Sequence, residues 1–223
     1  ALDRRLVRTL EALAGSEAEL DRAIALMDDA RTRLADLETR AGLVGGARGL
    51  EELGKAVERI GDGIQLARDF APIGLYMVGR DSVRRYLLLG QSADELRATG
   101  GFVSAVWLLT FDGGELADIQ YFDAVRVDDY GRLNLYPPAP PGLEQHMNAL
   151  VWLMRDVSWE PDFPTTARTA ADMFRIGQRQ EVDGVIAMNQ WTLLSLIEAL
   201  GAVASPEGDD LTSHNLFARI EKG

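Results

Sequence analysis

The sequence predicts a layered α/β fold, an αβα sandwich around a mixed sheet, preceded by an antiparallel helical hairpin. Three observations carry that expectation. Apolar residues recur at alternating steps of three and four up to about residue 67, a glycine-rich stretch interrupts this stripe, and from residue 84 onward short apolar runs alternate with amphipathic segments. Charge separates the same regions: residues 1–80 hold 12 basic and 14 acidic side chains, whereas residues 81–223 hold 11 and 21. These changes divide the chain into a helical region, residues 1–78, and an α/β domain, residues 79–223.

The elements follow in order. Leu6, Leu10, Leu13, Leu20, Ile24, Met27 and Leu34 fall on one face of a first helix, with Glu17 and Arg31 standing in the same stripe. Gly42, Gly45, Gly46 and Gly49 form a turn, and Leu50, Leu53, Val57, Ile60, Ile64 and Ala67 mark a second helix, ended near Pro72-Ile73-Gly74. Two arrangements fit these stripes, an oligomeric coiled coil or a hairpin that covers itself. The two charged seam positions favour the hairpin.

Residues 84–90 read as a strand buried on both faces, because Tyr86-Leu87-Leu88-Leu89 is a continuous apolar run ended by Gly90. Residues 102–111 form a second strand, Asp112-Gly113-Gly114 a hairpin turn, and residues 116–127 the returning strand. After the prolines at 137, 138, 140 and 141, residues 143–154 suit a helix. Another starts near Pro164, whose fixed φ fits a first turn, and runs to about residue 176. A strand over 182–188, a helix over 191–200 closed by Gly201, and a short helix over 214–221 complete the pattern.

Composition narrows the function classes. With 47% hydrophobic residues the chain can bury a sizeable core, and with no cysteine it is neither a disulfide-stapled miniprotein nor a cysteine-ligated metal protein. A net charge of −12 speaks against nucleic acid, since a phosphate-binding face needs clustered Lys and Arg. No run approaches the ~18 apolar residues that cross a bilayer. His146 and His214 stand alone without H-E-x-x-H, and neither a G-x-S-x-G elbow nor a G-x-x-x-x-G-K-[ST] loop occurs.

Three places carry candidate chemistry. Arg97 lies between the first strand and Gly100-Gly101, where a planar five-donor fork and backbone N–H groups could hold a phosphate or carboxylate. The alternative is an arginine that ties down a loop whose glycines serve positive φ. The segment from Arg155 to Pro164 (RDVSWEPDFP) concentrates charge, aromatics and prolines between two helices. In it Arg155 and Asp156 are ligand candidates, Trp159 and Phe163 fit the core, and Arg155 has Asp156 or Asp162 as alternative partners. Asp162 either caps the helix that follows or joins a ligand site. Asp123, with Asp128 and Asp129 after it, is a candidate for Mg²⁺ through oxygen ligands or else a solvated turn.

These strings resemble a known family. Leu87-Leu88-Leu89-Gly90-Gln91, Glu95-Leu96-Arg97-Ala98-Thr99-Gly100-Gly101-Phe102, Leu109-Thr110-Phe111-Asp112-Gly113-Gly114, Asp123, the paired prolines, Arg155-Asp156, Trp159, Pro161-Asp162-Phe163-Pro164 and Val182-Asp183-Gly184-Val185 occur in the order seen in the bacterial domain of unknown function 4012. That family in turn looks like a distant relative of the LytR-CpsA-Psr transferases, which move glycopolymers from a polyprenyl pyrophosphate carrier to the cell wall. The resemblance implies an extracytoplasmic, cell-envelope domain tethered by an upstream membrane segment, binding a lipid carrier or an envelope glycan, with other envelope proteins meeting its helical region. The candidate ligand set is Arg97, Gly100, Gly101, Arg155, Asp156 and Asp162, and the transferase likeness implies that Arg97 and Arg155 clamp a pyrophosphate while Asp123 helps to hold Mg²⁺. Where the transferases carry an acidic residue after their first arginine motif, this chain has Ala98-Thr99-Gly100, and their C-terminal ligand stretch has no counterpart here. The implied activity is therefore binding with absent or degenerate catalysis, the alternative being an active glycopolymer phosphotransferase.

Overall fold

The computed structural model describes residues 4–42, 48–205 and 208–220. The chain forms two compact units, one of residues 1–83 with 111–116 and the other of residues 84–110 with 117–223.

The first unit is helical apart from residues 111–116, a turn with the strand ends it joins. The long apolar stripe is not one helix: it breaks at Gly15-Ser16 into α1 (Arg4–Ala14) and α2 (Glu17–Gly42), glycine being the residue that most weakens a helix interior short of proline. α3 (Arg48–Met77) follows. Gly45 and Gly46 of the expected turn lie outside the described residues, while Gly42 and Gly49 sit within α2 and α3. The two charged seam positions bond across to α3. Arg31 donates to Asp62 Oδ1 at 2.7 Å and to the Glu58 carbonyl at 2.9 Å, and Arg68 pairs with Glu17 at 3.4 Å and Asp21 at 3.1 Å. These pairs fix α2 and α3 antiparallel. Pro72 does not end α3, as its surroundings suggested. The helix gives up one hydrogen bond there and continues, because Ala71 beside it is fully buried and Gly74 lets Leu10 of α1 approach closely. Among the described residues, no helix is long and apolar enough to cross a membrane.

The second unit is a four-stranded mixed sheet flanked by helices, as the sequence predicts. Its order is β3-β2-β1-β4, with β1 (Arg84–Ser92), β2 (Phe102–Asp112), β3 (Glu115–Asp123) and β4 (Gly184–Asn189). β4 pairs parallel to β1, from Tyr86 opposite Gly184 to Gln91 opposite Asn189. Alternation along β1 sends Leu87 and Leu89 into the main core, with Val106 and Leu108 of β2 and Ala170, Met173 and Phe174 of α6 (Phe163–Gln178). Gly90 and Met188 face the other way, toward Leu193 of α7 (Gln190–Leu200), so the layers are helix, sheet, helix.

Local chemistry shortens several expected elements. β3 stops at Asp123, whose carboxylate accepts from Val125 N and starts α4 (Ala124–Val127). The helix expected over 143–154 is α5 (Pro141–Met147), closed by Asn148 in the left-handed region at φ 54°. Its remainder is extended chain leading into a 3₁₀ segment, Met154–Trp159. The last helix, α8, covers Leu216–Ile220.

Candidate ligand-binding site around Asp156

The segment between β1 and β2 and the 3₁₀ segment Met154–Trp159 are stitched together by buried polar groups. Gln91, just past the apolar run of β1, turns its amide inward and donates to Ser158 Oγ at 2.9 Å and to the Thr99 carbonyl. Thr99 N donates to the Ser158 carbonyl at 3.1 Å, and the Thr99 hydroxyl reaches the Glu160 carbonyl and lies 3.2 Å from Thr166 Oγ1. Gly100 and Gly101 have φ of 85° and 132°, and a Cβ on either would collide with the Gln91 side chain or the Ser92 carbonyl. Glycine is required here by both conformation and space.

This stitching sets Arg97 beside Asp156. Arg97 Nη2 donates to Asp156 Oδ1 at 3.0 Å, Nη1 donates to the Leu96 carbonyl at 3.0 Å, and the guanidinium stands over the Phe102 ring at 5.5 Å. Arg155 Nε donates to the other oxygen, Asp156 Oδ2, at 3.2 Å. Arg155 thus pairs with Asp156 rather than Asp162. The Arg97 and Asp156 side chains are 11% and 5% exposed, that of Arg155 is 44%. Arg97 Nε is buried with no hydrogen-bond partner among the described residues. Trp152 Nε1 donates to the Asp156 carbonyl at 2.9 Å, holding the backbone of the pair.

Asp128 completes the cluster. Both its oxygens face Met154 N, at 3.3 and 3.2 Å, and the neighbouring Asp129 N donates to the Tyr136 hydroxyl at 2.8 Å. Burial pushes its pKa up to about 7, opposed by the Met154 hydrogen bond, the positive Arg155 and the Tyr136 hydroxyl nearby, and reinforced by the negative Asp156. In sequence Asp128 is one of three aspartates in a polar stretch, and only the fold shows it buried against the segment that carries Asp156.

Two candidates lie elsewhere. Asp162 caps α6, accepting from Thr165 N at 2.9 Å and Thr165 Oγ1 at 2.6 Å, bonds that hold its pKa below the usual carboxylate range. Asp123 caps α4 and Asp129 accepts from Gly131 N at 3.0 Å, each serving a turn. Among the described residues, no group of three acidic or histidine side chains is disposed to hold a metal ion.

The model of a family described as protein of unknown function (DUF4012) matches residues 81–223. The chain belongs to that family. The DUF4012 match takes in the whole Asp156 cluster, and it begins close to the Val83–Arg84 boundary between the two units. Its description assigns no activity. No curated protein and no solved structure matches the chain.

Proposed function

We propose that this chain is a binding module of the bacterial cell envelope, held outside the cytoplasmic membrane by an upstream segment. In this reading it takes a polyprenyl-pyrophosphate-linked or glycan ligand without turning it over, and its helical unit meets other envelope proteins. One observation supports binding over transfer: Asp156 accepts from Arg97 on one oxygen and Arg155 on the other. A pyrophosphate clamp needs those guanidiniums for the charge that develops in transfer. Here Arg97 is neutralised inside the fold, and prising it off Asp156 would strand a buried charge. Arg155, half-exposed, keeps its outer face for a ligand.

A second reading, an active glycopolymer phosphotransferase, draws on the same geometry. The two arginines converge on a single carboxylate, Arg97 Nε is left over as a buried donor, and Asp128 beside them has a carboxyl poised near neutral pH. The experiment is to mix the protein with a labelled glycan on polyprenyl pyrophosphate, Mg²⁺ and peptidoglycan, and to follow retention and transfer separately. Retention without transfer is the expected result. Transfer that disappears in Arg97→Lys would establish the second reading, and failure of the protein to retain the carrier would dismiss both.

A further inference from the structure

A groove of about 520 Å³ in the sheet unit is lined by Arg132, Leu135, Arg175, Ile176 and Arg179. Its volume is that of a small-molecule site. Three of the five lining residues are arginines and none is acidic, in a chain of net charge −12 whose residues 81–223 carry 11 basic side chains in all. The arginines come from two elements. Arg132 lies on the 3₁₀ segment Tyr130–Leu135, while Arg175 and Arg179 lie in the last turn and at the C-cap of α6.

Helix C-termini attract basic side chains, which accounts for Arg175 and Arg179 and, through its bond to the Ile176 carbonyl, for part of the placement of Arg132, which a different segment brings to the same groove. Their existing partners are loosely held. Arg132 meets Asp129 only at 3.9 Å and the Ile176 carbonyl at 3.4 Å, and Arg175 pairs within its own helix with Asp172, whose side chain is 66% exposed. Arg179 has φ 58°, a left-handed conformation in which glycine or asparagine is the easier residue. The walls are fixed. Gly177 has no room for a Cβ against the Val127 carbonyl and the Tyr136 hydroxyl, and Gln178 donates to the Val127 carbonyl at 2.7 Å.

We propose that this groove is an anion site for a phosphate or pyrophosphate ester, gripped by Arg132, Arg175 and Arg179 while the rest of the ligand lies on Leu135 and Ile176. The arginine forks match phosphate oxygens in pairs, and the exchangeable carboxylates Asp129 and Asp172 release their partners without stranding a buried charge. The site is separate from the Asp156 cluster and does not rest on the reading given above.

The test uses the full chain and two probes at low ionic strength. Inorganic pyrophosphate is followed by calorimetric titration, and phosphatidylglycerol vesicles by co-sedimentation. Arg179→Gly and Arg132→Gln are each expected to weaken binding by at least about tenfold, the loss of one charge-assisted contact. Arg168→Gln, the same charge removed from α6 outside the groove, is expected to leave it unchanged. Arg179→Gly relieves the left-handed backbone, so its melting temperature should not fall, which separates lost binding from lost folding. Binding of pyrophosphate alone identifies a soluble phosphate ester, and Arg179-dependent vesicle binding identifies a lipid head group. Binding of neither probe, binding that Arg179→Gly leaves intact, or binding that Arg155→Gln abolishes while Arg179→Gly retains it would each overturn the assignment.

Discussion

Replacing Asp128 by asparagine should stabilise the protein at pH 8 and remove a pH dependence that the native carboxyl imposes. The residue is 7% exposed, and its pKa is raised from 3.8 to about 7 chiefly by burial. Because the folded state holds this proton more tightly than the unfolded chain, the carboxyl destabilises the fold above pH 7. The penalty is relieved as pH falls from about 7 toward 4. Each pH unit within that window corresponds to about 1.4 kcal/mol, so going from pH 8 to pH 5 relieves roughly 2.5 kcal/mol. Asp128→Asn changes little else, since asparagine keeps an acceptor for Met154 N but carries no charge to desolvate. Urea denaturation of both proteins at pH 5, 6, 7 and 8 measures the difference and cancels groups common to the two. The expected result is that the advantage of Asp128→Asn over the native protein shrinks by about 2.5 kcal/mol between pH 8 and pH 5. Parallel curves for the two proteins, or a variant less stable than native at pH 8, would refute the reasoning.

Removing Asp156 attacks the cluster from its centre. Asp156→Ala leaves Arg97 buried without a counter-charge and should cost roughly 3–5 kcal/mol in chemical denaturation, whereas the double variant Arg97→Met/Asp156→Ala should recover much of it. Gly101→Ala must place a Cβ against the Ser92 carbonyl at φ 132°, so it should lower the melting temperature far more than Gly113→Ala, where no atom lies within 4 Å of the added Cβ. At Asp162, asparagine retains the capping acceptor and should melt close to native, while alanine should melt lower. The carboxylate's depressed pKa means its contribution is present above the ordinary carboxylate range and is lost as pH falls through the folded pKa, which a melt series from pH 5 down to pH 2 would show.

Much of the secondary structure is legible because its causes are local. The Asp112-Gly113-Gly114 turn, the helix opened by Asp162 and Pro164 and the one closed by Gly201 each depend on residues within about one turn of chain, and each forms close to where the sequence places it. The misplacements have equally specific causes. Gly15 interrupts a stripe whose period runs through it unbroken, Pro72 is carried inside a helix by the packing of Ala71 and Gly74, and Asn148 ends a helix by adopting φ 54°. The candidate site is legible as residue types and not as pairings. Arg97, Arg155 and Asp156 all stand out by their glycine- and proline-flanked surroundings, yet nothing in the sequence distinguishes Asp156 from Asp162 as the partner of Arg155.

By itself the sequence determined the α/β class, the helical lead, the change of character near residue 80 and the family, since periodicity, turn residues and ordered motifs are properties of the chain read along its length. Only the tertiary structure decided that β4 lies parallel to β1, that Arg31 and Glu17 in the apolar seam are ion pairs to α3, that Arg97 and Arg155 share one carboxylate, and that Asp128 is buried beside them. A charge takes its partner and its pKa from what stands within a few ångströms and from how much water is excluded there. For Arg97 that partner is 59 residues away along the chain.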